Sequence, residues 1–238
     1  DPGGRVAGMT ETALSRTAAS QAVESLGWRY ALATLVTSVR VASLVEATQV
    51  AVAVTDACGE QADDHLRVDL RPDRVELSLA NRATGRVTDV DTALAQSITR
   101  ALTDGGHVTA GATSAELARP VQMLEIAVDA LDIPAVRPFW QAVLAYEDDG
   151  HGALVDPAGQ LPAVWFQQMD APRPQRNRIH FDVTVAHDEA EARVRAALDA
   201  GGVLVSDAAA RSFWILADVE GNEVCVCTWL DRDERESA

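Results

Sequence analysis

Apolar positions recur along this chain with two periods, and the switches between them mark its elements. Thr12–Ser25 is alanine-rich with helical spacing. Val36–Gly59 opens as a strand and continues as a long helix in which Ala, Val and Leu return on one face. Leu66–Leu70 and Arg74–Leu79 alternate apolar and polar positions, as half-buried strands do. Asp89–Thr103 is a strong helix. Thr88 supplies its N-cap, Asp89 and Asp91 place negative charge in its first turn, and Gly105-Gly106 stops it. This part predicts an α+β unit. The following "HVTAGATSAELARP", His107–Pro120, is small, polar and unpatterned, and reads as a linker.

Beyond it the pattern repeats itself. Met123–Val128 is a strand, and Asp132 caps a helix over Pro134–Leu144, with Pro134 tolerated in its first turn. Ala153–Val155 and Ala163–Gln167 are strands on either side of the turn Asp156-Pro157-Ala158-Gly159. The same order then returns: strand Ile179–Val185, helix Asp188–Ala200, a Gly201-Gly202 stop, and strands Val203–Val205, Phe213–Ala217 and Glu223–Thr228. The duplicated unit covers residues 121–170 and 178–230.

Composition narrows the picture. With 238 residues and 47% hydrophobic content, the chain can build two cores. A net charge of −16 disfavours a nucleic-acid partner, because phosphate would be repelled. No apolar run is long enough to span a membrane. The opening "DPGGRVAGM" has neither a basic nor an apolar signal region, so residues 1–11 read as a leader with Met9 as the natural start. "DRDERESA", Asp231 to Ala238, ends the chain and reads as disordered, with residues 233–238 as an acidic tail. All positive side chains are arginine, which leaves no lysine for Schiff-base chemistry. Three cysteines, Cys58, Cys225 and Cys227, make no disulfide framework and point to a reducing cytoplasm. Cys225 and Cys227 share a strand face. Two small buried apolar residues is the favoured reading, and a C-x-C metal pair the weaker one.

"LEIAVDALDIPAVRPFWQAVLAY", "PAVWFQQMDAPRPQRNRIHFDV" and "LADVEGNEVCVCTW" resemble the glyoxalase-like, or vicinal-oxygen-chelate, superfamily across residues 121–232. The resemblance implies two βαβββ modules curved around a pocket. In metal-dependent members four strands each give a ligand. Carried over, those positions fall on Glu125, Phe166, His180 and Cys225. Phe166 cannot coordinate a metal and Cys225 stands where a carboxylate is usual, so no metal and no cofactor are expected. Glu125 and His180 become pocket-lining groups. Trp165, Phe166 and Gln167 on one strand and Trp214 on another are candidates for a small-molecule site, with core packing as the competing reading for each tryptophan. Arg173, Arg176 and Arg178 either steer an anion to that site or form a solvated basic loop.

Gln61–Asp91 resembles the pterin-4a-carbinolamine dehydratases, and the likeness extends over residues 12–106. "DHL", Asp64 to Leu66, stands where the family has "HHP". "NRATGRVTDVD", Asn81 to Asp91, stands where it has "THDAGGLTERD", and Gly27-Trp28 matches an early "GW". The family uses three histidines to deliver and remove protons near neutral pH. Here the first is Asp64, the second remains as His65, and the third is Arg82, which cannot exchange protons at neutral pH. His65 is therefore either a retained proton-transfer group or an exposed residue at a strand entrance.

The combined expectation is an α+β protein in two parts. A dehydratase-like antiparallel sheet with helices carries a degenerate catalytic site at His65, Asp64 and Arg82. A glyoxalase-like domain binds a small organic ligand, with a pterin among the candidates. The alternatives are an active 4a-hydroxytetrahydrobiopterin dehydratase, a lyase; a glyoxalase-superfamily enzyme in the second half; or a first domain serving as an interaction module. The dehydratase resemblance and the apolar helix Ala42–Val54 lead to the expectation of a homodimer.

Overall fold

The computed structural model describes residues 11–110, 123–172 and 179–231. Residues 1–10 of the leader, most of the linker, the loop carrying Arg173, Arg176 and Arg178, and the acidic tail lie outside the described residues. The chain forms two compact units divided between Met123 and Leu124, and each has its own apolar core.

The first unit is an antiparallel sheet packed on helices. Its helices are α1 (Arg16–Val23), α2 (Leu44–Cys58), the single turn α3 (Ala62–His65) and α4 (Asp89–Asp104). Its strands are β1 (Arg29–Ala31), β2 (Thr34–Arg40), β3 (Leu66–Leu70), β4 (Arg74–Leu79) and β5 (Thr109–Ala110). The sheet runs β1-β2-β4-β3, and β5 also pairs with β2. Leu35, Leu66 and Leu79 line up across three strands, as do Val39 and Val75 across two. These side chains share one face, where Ala47, Val50 and Val54 of α2 and Leu94, Ile98 and Leu102 of α4 bury against them. Because Thr109–Ala110 pairs with Ser38 and Val39, the third and fourth residues of the stretch expected as a linker are built into this sheet. Gly27 explains the "GW" pair. It adopts φ +78°, and a Cβ there would meet the Thr109 carbonyl oxygen at 2.4 Å, so only glycine fits. The neighbouring Trp28 is fully buried and its indole donates to Thr99 Oγ1 at 3.0 Å.

The second unit is built twice. Module one is β6 (Glu125–Ala130), α5 (Ile133–Leu144), β7 (Glu147–Asp148), β8 (Ala153–Val155) and β9 (Ala163–Gln168). Module two is β10 (Phe181–Thr184), α6 (Ala190–Asp199), β11 (Val203–Ser206), β12 (Phe213–Ala217) and β13 (Glu223–Cys227). The sheets run β6-β9-β8-β7 and β10-β13-β12-β11, so the same topology occurs in each. The turns before the last strands repeat as well. Asp156 in "DPAGQ" accepts from the backbone of Ala158 and Gln160, and Asp218 in "DVEGN" accepts from Glu220 and Asn222. The modules join through their helical sides. Trp140 of α5 stands edge-on to Phe181 of β10 at 5.9 Å between ring centroids, and its indole donates to the buried Asp218 at 2.9 Å. Gly202 lets α6 end close against α5, since a Cβ there would meet the Phe139 ring at 2.4 Å.

Candidate functional sites

In the first unit the three candidate residues meet at one corner of the sheet. The β3–β4 pairing continues past the strand ends: Ala80 N–H donates to the His65 carbonyl and Arg82 N–H to the Asp64 carbonyl. Asp64 and Arg82 are exposed, whereas His65 is buried at 3% exposure, which removes the exposed reading of this residue. Its Nδ1 is 2.8 Å from Asp91 Oδ1, and its Nε2 is 3.4 Å from Glu11 Oε1. Asp91 is wholly buried, and its other oxygen accepts from Thr88 N–H at 2.6 Å and Thr88 Oγ1–H at 2.9 Å. With that carboxylate as acceptor, Nδ1 carries the hydrogen and Nε2 is left facing Glu11. Glu11 is held in turn by Asn81 Nδ2 at 2.6 Å and Thr88 Oγ1 at 3.3 Å. The Arg82 guanidinium donates to the Leu66 carbonyl at 3.0 Å. The helix-start signal at Thr88–Asp91 thus also orients the histidine. Sequence reasoning assigned Asp91 to the helix start and missed this second task, and it missed Glu11 altogether.

In the second unit, register decides which side chains share a face. Val128 pairs with Phe166, and both are buried in the core with Val164. The Arg137 guanidinium lies 5.5 Å from the Phe166 ring centroid. The other face of module one carries Glu125, Ala127, Trp165 and Gln167, all exposed, together with Asp129. Trp165 stands between Ala127 on β6 and Ala153 on β8 and remains 37% exposed. Phe166 is therefore a core residue and not part of the open face, a correction to the sequence expectation. Trp214 is corrected in the same way: it pairs with Val226 and packs against the core, while its neighbours Phe213 and Ile215 face the other side with Cys227 and Cys225. His180 is exposed and Cys225 is buried. Burial first, and then the nearby Asp182 carboxylate, push the Cys225 thiol up to about 12.

Two α+β units, one with a buried histidine between carboxylates and the other with a duplicated strand-helix-strand topology, define the class of this protein. Residues 12–101 match the family model for pterin 4 alpha carbinolamine dehydratase, and residues 125–227 match the one for the glyoxalase-like domain. The chain is a pterin-dehydratase-like domain followed by a glyoxalase-like domain. Among solved structures, a transcriptional coactivator/pterin dehydratase from Brucella melitensis is 19% identical, covering 38% of this chain and 98% of that one, with a TM-score of 0.34. The fosfomycin resistance protein FosX from Mesorhizobium loti is 9% identical, covering 49% and 98%, at 0.37. A glyoxalase/bleomycin resistance protein/dioxygenase family enzyme from Burkholderia phytofirmans PsJN is 17% identical, covering 44% and 97%, at 0.36. No curated protein matches the chain.

Proposed function

We propose that this chain is a cytoplasmic small-molecule-binding protein whose dehydratase-like domain keeps the frame of its family but not its proton-transfer set. Removing water from a 4a-hydroxytetrahydropterin requires one group to protonate the leaving hydroxyl and another to take a proton from the ring. His65 can do one of these tasks. Arg82 cannot exchange a proton at neutral pH, and its guanidinium is engaged by the Leu66 carbonyl. Asp64 is exposed to water. Each missing general acid or base costs ~10²–10⁴-fold, so dehydration is slow or lost. The solution form expected for this domain is a homodimer.

Ligand binding falls to the open face of the glyoxalase-like domain. The observation that carries this reading is the exposed Trp165, flanked by two alanines that leave its indole clear for a planar molecule to stack on. Glu125 and Gln167 on the same face supply an acceptor and an amide to orient a heterocycle such as a pterin. Fluorescence titration with a reduced pterin tests it. Binding should quench tryptophan emission in the wild type, and Trp165→Ala should weaken binding by ~1–3 kcal/mol, the scale of one lost stacking contact. Quenching that is unchanged in Trp165→Ala would place the ligand elsewhere.

A further inference from the structure

The four ligand positions implied by the glyoxalase-like resemblance do not form a set in this chain. Glu125 is on the open face of module one, but Phe166 lies in the core and offers no donor atom. Module two holds a different arrangement. His180, Asp182 and Cys225 each present one ligand atom, and the three atoms lie within 4.8 Å of one another. The strand geometry causes this. His180 and Asp182 are two residues apart and fall on one face, and Asp182 pairs in register with Cys225 on β13. His180 Nε2 is 3.5 Å from Asp182 Oδ1. Asp182 was not among the residues expected from sequence, because it lies two positions beyond the one the resemblance marks.

We propose that His180, Asp182 and Cys225 bind one zinc-class divalent transition-metal ion within module two alone. A tetrahedral ion with bonds of ~2.0–2.3 Å sets its donors about 3.3–3.8 Å apart. The present spacing closes to that by rotation of His180 and Asp182, whose side chains are 51% and 60% exposed, while the buried Cys225 is the fixed point. An imidazole, a carboxylate and a thiolate suit zinc and cobalt, whereas Mg²⁺ and Ca²⁺ take oxygen donors. On binding, the Cys225 S–H bond breaks, its proton leaves to solvent and its electron pair forms the sulfur–metal bond. No electron is transferred. Three protein donors leave the fourth position to water or a ligand atom. The site uses none of the side chains assigned to heterocycle binding, so it stands or falls separately from that reading.

Co²⁺ is the probe, added to the chelator-stripped full chain kept reduced. One equivalent should give thiolate-to-cobalt absorption in the near ultraviolet and the visible bands of a tetrahedral site. Both should vanish on adding one equivalent of Zn²⁺ and survive excess Mg²⁺. Cys225→Ser should lose the near-ultraviolet band, and Cys58→Ser should keep it. His180→Ala and Asp182→Asn should each weaken Co²⁺ binding by at least about tenfold, since even loss of a ligand's supporting partner costs ~10–100-fold. Circular dichroism checks the fold of each variant, and the exposed Asp182→Asn decides the matter should Cys225→Ser fail to fold. The proposal is overturned if no charge-transfer band appears at saturating Co²⁺, if the band survives Cys225→Ser, or if His180→Ala and Asp182→Asn both bind as the wild type does.

Discussion

The imidazole of His65 makes both ring contacts with carboxylates, Asp91 at Nδ1 and Glu11 at Nε2. The sequence displayed the histidine and the acids but not their meeting. Asp91 is 26 residues away and reads locally as a helix-start acid, and Glu11 precedes the first helix with no motif around it. The turn that returns β4 toward α4 brings Asp91 to the histidine, and the antiparallel bridge between Ala13 and Thr88 brings Glu11. Cys58 offers a check on burial at this scale. Desolvation pushes its thiol from an ordinary 9.0 up to about 11. Below pH 9 the folded and unfolded chains both hold this proton. Between about pH 9 and 11 the unfolded chain releases it and the native chain keeps it, so stability falls as pH rises through that window. The urea midpoint should therefore drop between pH 9 and 11, and drop less in Cys58→Ala. An equal drop in both proteins would show that Cys58 ionises freely in the native state.

At the scale of elements, the strands legible in sequence were those with a clean period. Leu66–Leu70, Arg74–Leu79, Ala153–Val155 and Phe213–Ala217 form where the alternation and turns placed them. The β1–β2 hairpin was not legible. Its turn residues Leu32 and Ala33 hold φ +44° and +59° without the Gly or Asn that normally signals such a turn. Face assignment on β9 failed for a different reason. Trp165 and Phe166 are adjacent and both apolar, so the sequence alone permits either to point inward, and a one-residue choice inverts the whole strand. The pairing of Val128 with Phe166 resolves it. Denaturation should register the difference: Phe166→Ala should cost about 3–5 kcal/mol, and Trp165→Ala less than about 1 kcal/mol. Equal costs would mean the faces are assigned wrongly.

At the scale of the whole molecule, two units with separate cores carry two unrelated frames, and among the described residues no helix is long and apolar enough to cross a membrane. The strand-helix-strand order of residues 121–170, which returns over residues 178–230, made the second frame readable from sequence. The "GW" pair and the Asn81–Asp91 stretch did so for the first, because those residues serve the fold as well as the site. The chemistry was less legible, since substitutions at Asp64 and Arg82 report what is missing and not what replaces it. The most direct measurement is the rate at which the full chain dehydrates a 4a-hydroxytetrahydropterin, compared with its Asp64→His/Arg82→His form. The expected result is a slow wild type and a doubly substituted chain faster by ~10²-fold or more. A wild type as fast as the doubly substituted chain, and losing that rate in His65→Ala, would contradict the reading of a degenerate site.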